Sequence, residues 1–417
     1  MSPAKVTVVG AGISGLIIAS YLVRNGADVT MIEQKPYIGG AISTDHLNGF
    51  YLDRRFYPFY DNSPELKRVI NTDNLQLKHF NKGFNFIVSD GSEDSHRLSG
   101  PPTAAFGTFA DLKHLTPKDW LGVGRLFWQI LRNQYPLGAQ LELERADALI
   151  ARLKRINPLI GNFASAIAQV SLPHGGQLSS SSDLLEAIPQ YFLGNLSLPG
   201  TGIAEIPSQI ASTIDMSHIA LDTKATAICD EYVTLADGNS IGHDFAVLTC
   251  DARTLLLDSK LPETKPKENS SANFGSGIHY FATEADISTG STIQIPTYFG
   301  SKIALAVAID EVAPNYAPKG THLLSISTTH HELDANELNR EVSCIFGIKT
   351  SDLVTLRSYW HQADVETAER SSNFAANPNS YRISNRVFQT RKLYSPQNVV
   401  NSAARILAEQ LLYQASK

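Results

Sequence analysis

Cysteine is scarce in this chain. Its three copies, Cys229, Cys250 and Cys344, are far apart and form no CxxC pair. That excludes a disulfide framework and a thiolate metal centre, and it fits buried thiols in a reducing compartment. Charge of one sign is also missing: 35 Lys and Arg against 41 Asp and Glu leave a net charge of −6, with no basic block. A nucleic-acid partner is therefore not expected. No apolar run reaches the length of a membrane span. The five residues ahead of the first apolar run are too few for a secretory leader. The expectation is a cytoplasmic protein, with peripheral membrane contact left open. Neither a Ser-His-Asp order, an HExxH helix nor a phosphate-binding P-loop is present. Twelve histidines are scattered, with His330-His331 the only adjacent pair, so they read as surface or loop residues and no metal site is expected. Internal repeats and low-complexity segments are absent as well.

What is present begins at once. Val6-Thr7-Val8-Val9 is β-branched and runs directly into Gly10-Ala11-Gly12-Ile13-Ser14-Gly15, after which an apolar helix stops at Asn25-Gly26. A second apolar run, Val29 to Ile32, is closed by Glu33 and Gln34. Gly10 permits a tight turn, Gly12 lets backbone approach a diphosphate, and Gly15 lets helix and strand pack closely. The first amides of the helix, around Ile13 and Ser14, offer N–H groups and a positive dipole end to that diphosphate. Glu33 is placed to accept hydrogen bonds from an adenosine ribose, and its charge disfavours a 2′-phosphate. Ile38-Gly39-Gly40-Ala41-Ile42-Ser43-Thr44 supplies a second glycine pair followed by two hydroxyls. It reads either as an ordinary turn or as a second backbone segment brought near a ligand; beside the first fingerprint the ligand reading is favoured.

At 417 residues the chain exceeds what one core usually supports, so two domains are expected. From Leu115 to Leu193 the pattern is helical, starting at Thr116-Pro117-Lys118-Asp119. Trp120, Val123, Phe127, Ile130 and Leu131 form a stripe that either packs in a core or lines an apolar tunnel. Strand-like pieces follow at His218–Leu221, Ala225–Cys229, Tyr232–Leu235 and Phe245–Thr249, and Ala236-Asp237-Gly238-Asn239 is a hairpin turn between two of them. Phe245–Thr249 reads as a buried strand returning to the first sheet. Residues 258–273 read as an exposed connection, 277–327 as strand-rich, and Val399–Tyr413 as a closing helix.

The order of these motifs resembles the flavin-dependent superfamily of phytoene desaturases, squalene-associated desaturase-like proteins, protoporphyrinogen oxidases and amine oxidases. Four stretches carry the likeness: the fingerprint with Glu33; Gly39-Gly40 running on to Gly49-Phe50-Tyr51-Leu52-Asp53; Leu198-Pro199-Gly200-Thr201-Gly202 through Pro207; and Ala317-Pro318-Lys319-Gly320 through Leu324. The resemblance implies an α/β fold: a discontinuous Rossmann-like FAD domain (1–60, 198–260, 380–417) with an inserted α+β substrate domain (61–197 and 261–379, helical over 115–193 and strand-rich over 277–330). It implies noncovalent FAD, with the diphosphate at Gly10 to Gly15, the ribose at Glu33, the loop through Gly39, Gly40, Ala41 and Ser43 over the diphosphate and ribityl region, and the strand at Thr226, Ala227 and Ile228 beside the adenine.

Three places depart from the family pattern. Gln389-Thr390 stands where Gly-Asp is common, Asn398-Val399 and Ser402-Ala403 stand where glycine-containing pairs approach the ring, and Arg55 stands where glycine usually follows Asp53 by two. Arg54 and Arg55 are the leading charged candidates for the site: either clamps on an anion, or one surface and one structural arginine. On a strand they would face opposite sides, so at most one would reach the site. Tyr57, Phe59 and Tyr60 read as pocket or core. Arg386, Arg391 and Tyr394 fall where relatives meet the flavin ring. Two functions follow. One is a flavoprotein oxidoreductase transferring hydride between a small, largely apolar molecule and flavin. The other is a flavin-fold protein with a non-redox role, an isomerase, a cyclase or a binding protein.

Overall fold

A computed structural model describes residues 3–88, 96–99, 121, 145–156, 158–176, 179, 181–249, 256–257, 275–287, 289–298, 301–329, 333–362, 381–382, 386–389 and 408–413. The start of the helical stretch with its stripe from Trp120 to Leu131, the connection at 258–273, Cys250, His330-His331 and residues 399–407 of the closing helix lie outside them.

Strand β1 (Lys5–Val9), helix α1 (Ile13–Arg24) and strand β2 (Asp28–Ile32) form the opening unit. Val6, Thr7, Val8 and Val9 are all buried, as expected of a parallel strand covered on both faces. A six-stranded sheet grows around them in the order 219–220, β2, β1, 245–248, 387–389, 381–382. The first five strands run parallel and the last antiparallel. Phe245–Leu248 lies directly beside β1, Val8 opposite Val247, so the buried return strand is where the sequence puts it. Asn25 caps the C-terminus of α1, and Gly26 takes a φ of 80°.

β3 (Thr44–Leu47) and β4 (Phe50–Asp53) pair as a hairpin. Asn48 and Gly49, with φ values of 50° and 87°, make its turn, the two positive angles that a tight hairpin demands.

A second, mixed sheet of seven strands runs 354–362, 275–283, 322–328, 303–308, 293–296, 84–88, 96–99. Three helices, Ala146–Ile156, Pro158–Ser171 and Ser181–Leu193, pack on one another beside it, and Phe84 stacks on Tyr191 at 5.2 Å. The architecture is thus a Rossmann-like α/β sheet assembled from separated chain segments, with an α+β unit built from the intervening ones. Among the described residues no helix is long and apolar enough to cross a membrane.

Three expectations are corrected. The strand that closes the hairpin at Asp237-Gly238 is Ser240–Gly242, which pairs with Tyr232–Leu235; it was too short and polar to stand out. Cys229 is buried as expected, but Cys344 is only half-buried on the helix Ala335–Phe346. The histidines are not confined to surface and loops. His243 is buried, and His279, His322 and His361 sit on strands, where alternation sets one side chain in two against a packed face.

Candidate cofactor and substrate site

The turn between β1 and α1 is built on glycine for reasons visible in its geometry. Gly10 has a φ of 109° and donates to Ile32 O at 2.7 Å. A Cβ on Gly15 would lie 2.0 Å from Gly10 O, so only hydrogen fits between helix and strand there. Thr249 locks the turn from the neighbouring strand, its hydroxyl donating toward Val9 O at 3.0 Å and Gly10 O at 2.8 Å. Gly12 is the N-cap of α1, and neither a side-chain cap nor an acid in the first turn satisfies the helix N-terminus. Such an end presents amides and partial positive charge to an anion.

The second glycine pair faces the first. Gly39 N donates to Ala11 O at 2.8 Å, and Gly39 bridges Gly12 in parallel β fashion. Gly39 and Gly40 take φ values of 100° and 63°, and a Cβ on Gly40 would stand 3.1 Å from Gly12 Cα. Ala41 is half-buried, and just behind it the Ser43 hydroxyl is buried with no hydrogen-bond partner. Buried polar atoms are rarely left so. Glu33, at the tip of β2, is buried, with Oε2 accepting from Ala11 N and Oε1 from Lys35 N, both at 2.9 Å. Gln34 beside it is exposed. An uncapped helix end, two facing glycine segments and an orphan hydroxyl offer donors, and the buried acid an acceptor, of the kind that the nucleotide half of FAD would need.

Ala227 sits in the strand Ala225–Ile228, whose register with Tyr232–Leu235 slips between Ala225 and Ala227. Gln389 pairs with Leu248 at the far side of the sheet. Thr390, Arg391, Tyr394 and Val399 lie outside the described residues.

Arg54 and Arg55 follow β4 in a bend rather than standing on a strand, because the strand ends at Asp53. They still diverge. Arg54 gives Asp45 Oδ1 two bonds, at 3.1 and 2.8 Å, and reaches the Tyr37 hydroxyl; Arg357 Nη1 at 3.1 Å and Tyr359 Oη at 2.7 Å serve Asp45 Oδ2. Burial alone would raise the Asp45 pKa, but these donors outweigh it and hold the carboxyl below its usual range. Arg55 turns inward, 8% exposed, and its Nη1 donates to Tyr57 Oη at 2.8 Å. Tyr57 is buried with its pKa pushed up by desolvation, so it stays neutral.

Arg55, Phe56 and Tyr57 form one wall of a small, partly open cleft, whose other walls include Gln169, Leu172, Ser276, Ile278, Thr328 and His361. His361 Nε2 donates to Arg54 O at 2.6 Å. Burial, then the Arg55 charge, drives its pKa down to about 4, so it is neutral at neutral pH. Behind Thr328, His279 joins Thr328 Oγ1 at 3.2 Å to Ser358 Oγ at 2.8 Å.

Asp53 was legible only as part of a motif, and its role emerges here. Its Oδ1 accepts from the Thr44 hydroxyl at 2.6 Å and Ile203 N at 3.0 Å, its Oδ2 from Tyr316 Oη at 2.9 Å, and its carbonyl from Tyr280 Oη at 2.8 Å. Ala204 N donates to Thr44 Oγ1 at 3.1 Å, and a Cβ on Gly202 would strike Thr44 at 2.6 Å. The glycine in Leu198–Gly202 therefore lets that segment dock its backbone on Thr44 and Asp53. Burial lifts the Asp53 carboxyl from 3.8 to about 6, although Thr44, Ile203 and Tyr316 favour its charged form. An acid closing an otherwise apolar strand was the available signal; for Thr249 and His361 there was none.

The fold defines a Rossmann-like α/β class with a separate mixed-sheet unit built from the intervening segments. The model of the flavin-containing amine oxidoreductases matches residues 13–394, and the chain belongs to that family. A carotenoid 3,4-desaturase of Haloarcula japonica is 30% identical over 105 residues, 22% of this chain and 20% of the desaturase, so the matched stretch spans about a fifth of that relative. Among solved structures, an engineered triple mutant of putrescine oxidase superposes with a TM-score of 0.70 at 13% identity, covering 99% of both chains. A reduced UDP-galactopyranose mutase gives 0.64 at 12% identity, covering 99% of this chain and 96% of the other. At these identities the structures speak for the fold.

Proposed function

We propose that the protein is an oxidoreductase that binds FAD noncovalently and exchanges hydride with a small, largely apolar organic molecule, as a desaturase or oxidase does. The observation that carries this reading is the uncapped end of α1 set against Gly39 and Gly40. The amides of Ile13 and Ser14 would hold the diphosphate, Glu33 would accept from the ribose hydroxyls, and Ser43 would donate to the same nucleotide. Ala227 lies on the strand assigned to the adenine. When bound, the flavin supplies the hydride acceptor or donor. The chain's own residues then orient the substrate: Phe56, Leu172 and Ile278 exclude water from its apolar body, while Arg55 and Thr328 meet its polar end.

A second reading, a flavin-fold isomerase or binding protein, is favoured by one observation. The bulky, charged Arg55 occupies the place that relatives give to glycine, and it is buried in the cleft wall. An absorbance spectrum of the purified protein, taken before and after heat release, separates the two. Flavin bands that pass into the supernatant, and that bleach anaerobically with an organic reductant, support the oxidoreductase. A protein that stays colourless after incubation with FAD overturns it.

A further inference from the structure

His361 has two ring nitrogens, and only one of them is bonded. Its Nε2 lies 2.6 Å from Arg54 O, and a carbonyl can only accept, so Nε2 carries the proton. Burial is the largest influence on the ring and holds it neutral at neutral pH. A neutral imidazole with its proton on Nε2 keeps a lone pair on Nδ1. Among the described residues nothing bonds Nδ1, and it is not one of the buried polar atoms left without a partner. The atom is therefore open, and the ring forms part of the cleft wall. The ring is also held still. Strand pairing sets His361 opposite Ser276, and both line the cleft. Arg54, whose carbonyl accepts from Nε2, is itself anchored at both ends: its N–H donates to Ser43 O at 2.9 Å, and Asp45 and Tyr37 hold its guanidinium. Bonding one nitrogen to a backbone carbonyl fixes which nitrogen is left to face a ligand. The described walls contain no carboxylate to balance an ammonium group, and a buried charge without a partner is costly. A neutral hydroxyl meets Nδ1 at no such cost.

We infer that His361 Nδ1 is the hydrogen-bond acceptor that orients the substrate in this cleft, and that the substrate carries a hydroxyl on an apolar body. Phe56, Leu172 and Ile278 cover that body. The inference deepens the reading above and rests on this cleft being its substrate site. It makes His361 a specificity residue, because an ether of the same size cannot donate and leaves the lone pair desolvated and unmet. A ring that gains a proton only near pH 4 holds the hydroxyl rather than taking its proton.

The test is a titration of the full purified chain, isotope-labelled at its histidine rings and read by nitrogen NMR, alongside the absorbance spectrum. The probes are two isomers, hexan-1-ol and 1-methoxypentane, and hexylamine. Hexan-1-ol should bind about fivefold more tightly than the ether, as one further hydrogen bond allows, and more tightly than the amine. The Nδ1 resonance of His361, assigned by its loss in His361→Gln, should move upfield with the alcohol and hardly with the ether. A ring that only straps its strand to Arg54 would show neither effect. His361→Phe should bring the alcohol-to-ether ratio close to one. His361→Gln, whose amide can donate to Arg54 O and still offer an oxygen, should keep part of it. Should His361→Phe fail to fold by circular dichroism, the wild-type ratio and the resonance still decide. An ether equal to the alcohol, an amine that binds as tightly, a resonance that the alcohol does not move, or no binding at all overturns the inference. Hydroxyl preference in a protein that takes up no flavin would sustain this cleft assignment while sinking the oxidoreductase reading; flavin bands without hydroxyl preference would do the reverse.

Discussion

Adding one carbon at Gly15 is expected to be among the most damaging small changes in the molecule. A Cβ there meets Gly10 O at 2.0 Å, and strand β1 is fixed between two neighbours, so neither side can retreat. Gly15→Ala should cost about 1–3 kcal/mol or more, as overpacking does, visible as a lowered thermal midpoint and as loss of flavin on purification. Asp53 makes a second prediction, of pH. Its folded pKa of about 6 lies above the 3.8 of the model carboxylate, so the folded chain holds this proton more tightly. Its contribution is therefore complete below about pH 4 and is lost as pH rises through 6. The stability difference between wild type and Asp53→Asn should shift by about 3 kcal/mol over that window, against wild type at the higher pH. Denaturant unfolding at pH 5 and 7.5 captures about half of it, roughly 1.4 kcal/mol; parallel curves for the two proteins would show that Asp53 is not titrating there.

At the scale of elements, the end of α1 separates binding from folding. Gly12 has extended backbone angles and room for a side chain, with Gly40 Cα 4.0 Å from an added Cβ. Gly12→Ser would give α1 a capping hydroxyl, and replacing a glycine cap alters stability by only a few tenths of a kcal/mol. The same hydroxyl would stand where the diphosphate must come. The variant should unfold at the wild-type midpoint yet retain at most a tenth of the flavin; unchanged flavin content would argue against the cradle. Elements of this kind were also the legible ones. Strand β1, the glycine turn, α1 and the return strand Phe245–Leu248 all carry their cause locally, in β-branched runs and glycines. Ser240–Gly242 did not, since three weakly apolar residues become a strand only once Tyr232–Leu235 lies beside them. Nor could the bend that parts Arg54 from Arg55 be read, because the residue before it, Asp53, is held by Thr44, Ile203 and Tyr316, two of them far off in the sequence.

Across the whole molecule, Asp53 is the joint between the two units. Tyr280 from the seven-stranded sheet and Tyr316 from the turn at Pro314–Tyr316 both end on it, while Thr44 and Ile203 hold it from the cofactor side. Both tyrosines are buried, and burial raises their pKa values well above 10, so they act purely as neutral donors. Tyr316→Phe leaves one carboxylate oxygen short of a donor and should cost about 1–3 kcal/mol. Combined with Tyr280→Phe, the two losses should depart from additivity by about 0.5 kcal/mol or more, because both act on one residue. Simple addition in denaturant titrations would mean that the joint is not shared. Contacts at such separations, Asp53 with Ile203, Tyr280 and Tyr316, or Arg54 with His361, leave no trace in local pattern, which is why the cradle was legible and the cleft was not. The strand order carries one more consequence, for biogenesis. Residues 5–9 pair with 245–248, and those in turn with 387–389, so the nucleotide sheet stays unfinished on the ribosome until nearly the whole of this stretch has been synthesised. For most of its synthesis the nascent chain carries an apolar, open-edged βαβ fragment, a natural client for chaperones.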